Sequence, residues 1–381
     1  MAPPDDDQQG QGDLGVYVHF PWCRALCPYC DFPVVVVADQ PPHRAYLADV
    51  LAELRDQAPR FAGRALASIY LGGGTPSWWD PACIAELCDA IRATFPGAPA
   101  EVTLEANPID CTPTAMAAWR AAGITRLSIG VQSWDAAELA ALGRDHRVGD
   151  GPAAIAAARA AGFASLSADV ILGAPGVAPP ADGGAPSSIH AVAASGVDHV
   201  SVYELTIEER TAFGKRHRAG RLAVLGDEQL AALYEATHHA LTAAGFEHYE
   251  VSSYARPGRR AIHNGRYWTG GEYLGLGVGA ASFWRDPAGG GARWHNHRKL
   301  DAYRDPARRL AEHTTCDAAE LARDLLWLGM RTSDGVAAAA VPPAAAAWAL
   351  AHGLIEADGA RLRPTLRGFL LSNQLAARLC E

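Results

Sequence analysis

The chain has 381 residues, 49% of them apolar, and a formal charge of −9. That length can bury a large core, and the acidic balance excludes a protein that grips nucleic acid through a broad Lys/Arg surface, so no nucleic-acid partner is expected. No long apolar run of membrane-spanning length is present and the opening MAPPDDDQQGQGD is acidic and polar; the expectation is a cytoplasmic protein with residues 1–13 disordered.

Short β-rich runs then alternate with Ala/Leu-rich segments of helical spacing, the pattern of βα units around a parallel sheet. The spacing predicts strands at 15–20, 67–73, 101–106, 126–131, 165–172 and 199–205. Each gives way almost at once to Gly, Pro, Asn or Gln. Polar residues therefore gather at the strand C-termini, the face that carries the active site in α/β barrels. The Pro/Gly/Ser-rich run 175–188 is longer than a routine connection and is expected to be mobile. Residues 257–299 are dense in Gly, Tyr and Trp and poor in helical pattern, and read as a site-building segment. Residues 300–381 are expected to form a small, mostly helical domain, with an amphipathic helix in DAAELARDLLWLGMR and a hairpin turning at Asp358-Gly359. Helix, hairpin and helix give a winged-helix-like order, which does not by itself license DNA binding.

In a chain of this size without a secretory leader, the eight cysteines point to metal binding or burial rather than disulfides. Cys83, Cys88, Cys111, Cys316 and Cys380 are scattered through surroundings expected to be helical and read as packing residues. Cys23, Cys27 and Cys30 differ: they form CxxxCxxC directly after the first strand. Three thiolates satisfy three irons of a [4Fe–4S] cubane and leave one iron open. A structural zinc site would want four closed ligands, and no second Cys or His pair at matching spacing follows.

CxxxCxxC after a strand resembles the signature of the radical S-adenosylmethionine superfamily. YVHFPWC, GGGTPS at 72–77, LEANP at 104–108, RLSIGVQS at 126–133, LGRDH at 142–146, HVSVYELTIEERTAF at 199–213 and HNGRYW at 263–268 extend the similarity to the oxygen-independent coproporphyrinogen III oxidase group. The resemblance implies a partial (β/α)6 TIM-like barrel over 14–256, a [4Fe–4S] cluster and S-adenosylmethionine, cleaved reductively to a 5′-deoxyadenosyl radical. By the same matching Tyr17, Tyr29, Gly73, Gly74, Thr75, Glu105, Gln132, Arg144 and Asp169 fall on positions that contact S-adenosylmethionine. The chemistry agrees: a Gly-rich turn frees backbone N–H groups for close approach, carboxylates suit an ammonium or ribose hydroxyls, and Arg suits a carboxylate.

Within the group, the oxidase motif typically continues with a fourth cysteine, where Asp31-Phe32 stands here, and a longer N-terminal extension is expected of that branch. CPYCDF, GVQS and HNxxYW resemble instead the heme-chaperone (HemW) branch. This implies heme as a ligand, acceptor hemoproteins of the respiratory chain as partners and an electron donor; the alternative is coproporphyrinogen III dehydrogenation, with a porphyrinogen as substrate. His263 is the candidate heme ligand, with Tyr267 and Trp268 as stacking residues. The family's usual GLPG is GAPG here, which puts the loop after Asp169 in question.

Overall fold

A computed structural model describes residues 13–380; the disordered N-terminus expected over 1–13 lies, apart from Asp13, outside the described residues. All six predicted strands form, as β1 (Asp13–Phe20), β2 (Ala65–Gly73), β3 (Glu101–Ala106), β4 (Arg126–Gln132), β5 (Ser165–Leu172) and β6 (His199–Glu204). They pair in parallel in that order. Their outward faces are apolar: Val16, Val18 and Phe20 of β1 are fully buried, beneath helices such as His43–Gln57, which turns Tyr46, Leu47, Val50 and Leu54 inward. The helices start where the sequence offers caps. Asp80 accepts the amide of Ala82 ahead of Pro81, and Thr112 accepts that of Ala115 ahead of Pro113, each proline fitting a first-turn position that needs no donor.

The sheet extends at both ends. Beyond β6, β7 (Glu247–Glu250) and β8 (Ser253–Ala255) add an antiparallel edge. On the other side β9 (Glu272–Gly277) pairs in parallel with β1, followed by the antiparallel strands β10 (Ala281–Arg285), β11 (Gly291–Asn296) and β12 (Leu310–Cys316). The result is one sheet of 12 strands, a partial barrel with a seventh parallel strand that the sequence did not announce. Gly275 and Gly277 stand in β9 (EYLGLG) where its backbone is crowded: a Cβ at Gly275 would lie 2.0 Å from the carbonyl oxygen of Ala281.

Three expectations are corrected. The segment 257–299 contains a helix, Ile262–Thr269, closed by Gly270 in the left-handed region; Gly265 at its centre obscures the helical spacing. Residues 310–316 belong to the main sheet through β12, so the boundary expected at 300 falls too early, and Cys316 sits at the end of a strand rather than in a helix. The second core begins with helix Ala318–Gly329, started by a reciprocal Asp317/Glu320 cap and packed through Leu326, Met330, Leu362, Leu375 and Leu379. Its hairpin, Ile355–Asp358 with Arg361–Pro364, turns where expected. The run 175–188 forms no regular element before Ser187 and does not line the cavity described below.

Candidate functional site

The Cys loop leaves β1 and is held against the barrel mouth from several sides. Trp22 and Cys23 pair with Val35 and Val36. His19, on β1, meets the carbonyl oxygen of Pro33 through Nε2 at 3.0 Å and the Tyr17 hydroxyl through Nδ1 at 3.0 Å. The carbonyl can only accept, so Nε2 carries the proton and Nδ1 accepts from Tyr17. Burial lowers the His19 pKa to about 4, keeping that neutral form. Across the loop, the amides of Gly74 and Thr75 donate to the carbonyls of Phe20 and Trp22, at 2.8 and 2.9 Å. A Cβ at Gly74 would stand 2.8 Å from the Trp22 carbonyl oxygen and 2.9 Å from Cys23 Sγ: GGGT is a turn that lets one backbone lie on another.

The loop and the strand ends enclose a cavity of about 620 Å³. Cys23, Cys27 and Cys30 line it, as do Tyr29, Gly73, Gly74 and Thr75. Glu105, Gln132, Arg144 and Asp169 complete the set that the sequence singled out. Tyr17 is not at the cavity wall; it lies beneath, stacked on Tyr70 at 6.0 Å and supporting His19.

The donor set fits an iron–sulfur cluster. Among the described residues no three His, Cys, Asp or Glu side chains converge on a point suited to one ion; the three thiols stand around a shared cavity, as ligands to separate irons of one cluster do. Burial pushes the Cys23 thiol up to about 11, against the Thr75 hydroxyl 3.5 Å from Sγ, and raises Cys30 as well. Loading metal must therefore release protons. Arg144, which lines the cavity, donates to Cys27 Sγ at 3.5 Å and to the Gly130 carbonyl at 3.2 Å, while its Nε is buried without a hydrogen-bond partner.

Opposite the thiols, Glu105 accepts from the Tyr70 hydroxyl at 2.8 Å and the Gly73 amide at 3.0 Å. Burial and then the nearby Asp169 charge push its carboxyl up to about 7, against those two hydrogen bonds and the positive charge of Arg126. Asp169 is also raised by burial and is held at 3.1 and 3.2 Å by Ser128. Gln132 has φ of 63°, alone among the described non-glycine residues in being positive, at an irregularity in the β4–β5 pairing. Such strain persists where the surroundings over-determine it, often at ligand sites. The sequence reading missed Tyr70, Ser128 and Asn107, which steady the carboxylates or the rim; period-two alternation puts Tyr70 and Ser128 on the inward face and could have found them.

His263, Tyr267 and Trp268 are not at this cavity. His263 is 1% exposed, with Nδ1 2.9 Å from Ser68 Oγ and Nε2 3.0 Å from Tyr267 Oη. Both ring nitrogens are committed, and burial lowers the pKa to about 3. The expectation of an accessible axial ligand is corrected: His263 is an internal hydrogen-bonded packing residue. Tyr267 packs edge-on against Tyr273 at 4.7 Å, and Trp268 is half-buried on the same helix.

Three thiols beside a committed arginine, at the C-terminal mouth of a parallel partial barrel and facing two buried carboxylates, define a protein built around a cluster and a charged small ligand. Residues 17–179 match the model of the radical SAM superfamily. The chain is 38% identical to the heme chaperone HemW of Mycobacterium tuberculosis over 377 residues, covering 96% of this chain and 94% of the relative. It is 37% identical to HemW of Escherichia coli over 268 residues, covering 70% and 69%. The structure of coproporphyrinogen III oxidase from Escherichia coli superposes with a TM-score of 0.81 at 23% identity, over 96% of this chain and 90% of that one, a likeness of fold. The chain belongs to the radical SAM superfamily and, within it, to the HemW family.

Proposed function

We propose that this chain is a heme chaperone of the cytoplasm: it holds a [4Fe–4S] cluster and S-adenosylmethionine at the barrel mouth, binds heme, and passes the heme to acceptor hemoproteins, with an electron donor serving the cluster. Kinship with a named heme chaperone along nearly the whole chain is the observation that carries this reading. Cys23, Cys27 and Cys30 would hold the cluster. Arg144 would receive the carboxylate of S-adenosylmethionine, the backbone at Gly73, Gly74 and Thr75 would let the ligand approach, and Glu105, Gln132 and Asp169 would hold its ammonium and hydroxyls, with Tyr29 closing one wall. When bound, the cluster supplies one-electron reduction of the sulfonium. The chain's own residues orient the ligand and exclude water.

The oxidase alternative rests on the shared fold, and fold alone does not carry a reaction. Against it, Asp31 and Phe32 occupy the place of a further cysteine, and Asp31 is committed to Arg298 and Arg210, at 3.2 and 3.5 Å. The deciding experiment incubates anaerobic, cluster-reconstituted protein with reductant, S-adenosylmethionine and coproporphyrinogen III, beside heme binding and transfer to an apo-hemoprotein. Heme transfer without protoporphyrinogen formation is expected; product at a catalytic rate would overturn the chaperone reading.

A further inference from the structure

Below the cavity the barrel interior is polar, and Arg126 of β4 lies inside it. The residue is 2% exposed, yet Nε, Nη1 and Nη2 have no hydrogen-bond partner, and Thr103 Oγ1, next to it in register on β3, has none either. A buried charge is normally retained only where opposite charge compensates it. Here burial works against the guanidinium, while the carboxylates Glu101 and Asp169 favour its charged form. Glu101 is already committed, its carboxylate accepting the amides of Ile262 and His263 at 2.9 and 3.1 Å at the start of helix Ile262–Thr269. Asp169 and Glu105 are the carboxylates that reach the cavity.

We propose that Arg126 is a positioning residue whose charge, acting through space from beneath the cavity floor, favours the ionised forms of Glu105 and Asp169 against the cost of their burial, so that they can hold the cationic part of the cavity's ligand. The proposal rests on the S-adenosylmethionine reading above. Every element around the two carboxylates supplies a group to the balance. Tyr17 of β1, Tyr70 of β2, Tyr203 of β6 and Tyr267 of the helix surround Glu105 with phenols, and Asp169 of β5 opposes it with like charge. Ser128 and Arg126 of β4, Ser201 of β6 and Arg144 favour the charged form of Asp169. Arg144 is tied to Cys27 and Gly130, whereas Arg126 makes no direct bond to either carboxylate and stands one step below both: it is in register with Thr103, two residues before Glu105, and two residues before Ser128, which is in register with Glu105 and holds Asp169.

This geometry has a specific signature. An arginine acting through a bidentate bond is not replaced by lysine, whereas one acting through charge alone is. The test measures equilibrium affinity of the anaerobic, cluster-loaded protein for S-adenosylmethionine from pH 6 to 9, in the parent, Arg126→Met and Arg126→Lys, alongside the infrared carboxylic-acid band of the same proteins without S-adenosylmethionine. Arg126→Met is expected to move both midpoints upward by about one pH unit, a loss of affinity of about fivefold at pH 7 that approaches tenfold at pH 6, with Arg126→Lys close to the parent. Thermal unfolding of all three separates this from a packing role, which would lower the melting temperature and leave the midpoints in place. Unchanged midpoints in a folded Arg126→Met, or a lysine variant as shifted as methionine, overturn the proposal. A parent that binds no S-adenosylmethionine overturns the underlying reading instead, and the carboxylic-acid band still reports whether Arg126 controls the two carboxylates.

Discussion

Glu105 is held where its charge is costly. Its folded pKa, about 7, lies above the ordinary carboxylate value of about 4.3, so the folded state binds its proton more tightly than the unfolded chain. The contribution to stability is full below the ordinary value and is lost as pH rises through about 7. Urea midpoints at pH 5 and 8 should show this: the parent loses more stability across that window than Glu105→Gln, which lacks the titrating group. His263 gives the second prediction at this scale. With Ser68 and Tyr267 as its partners, His263→Ala leaves two buried hydroxyls unpaired and should lower stability by about 1–3 kcal/mol, while heme binding stays at the parental level. The thiols give the third. Any one of Cys23→Ala, Cys27→Ala or Cys30→Ala should lose the iron, acid-labile sulfide and visible absorbance of the reconstituted protein, whereas Cys88→Ala, in a buried helix position, should keep them.

Among the elements, the GGGT turn and the Cys loop form one unit, because each supplies the other's hydrogen-bond partners. A methyl at position 74 has nowhere to go except into the Trp22 carbonyl or Cys23 Sγ, and overpacking of this kind costs roughly 1–3 kcal/mol. Gly74→Ala is therefore expected to impair cluster incorporation far more than it lowers the melting temperature, a comparison that iron content per folded protein decides. The helix carrying HNGRYW is fixed in the same reciprocal way, by Glu101 on its first amides and Ser68 on His263. Its motif residues brace the barrel from inside, which accounts for a distinctive sequence away from the cavity.

For the molecule as a whole, the two cores are distinct. The barrel core and the core of the C-terminal region share no residue, and the seam between them carries contacts such as Phe369 against His248 at 4.6 Å and Arg293 with Asp324 at 2.7 Å. Truncating the fully buried Leu375 should therefore cost the usual ~2–5 kcal/mol for a leucine-to-alanine change. S-adenosylmethionine affinity should remain parental in Leu375→Ala, as measured by equilibrium binding. The sequence alone determined the six parallel strands, the loop with three thiols and the family, because these depend on local periodicity and on spacing within a few residues. It also named Glu105, Gln132, Arg144 and Asp169, which meet at the barrel mouth because the first, second and fourth lie in the C-terminal halves of strands in one parallel sheet and Arg144 lies in the loop beyond the helix that follows β4. Tertiary structure decided the rest. β9 pairs with β1 across some 250 residues of chain, the HNGRYW helix turns its histidine into the interior, and Arg126 sits unpartnered between carboxylates from separate strands. Burial and through-space charge depend on which strands become neighbours, and no local pattern in the chain carries that information.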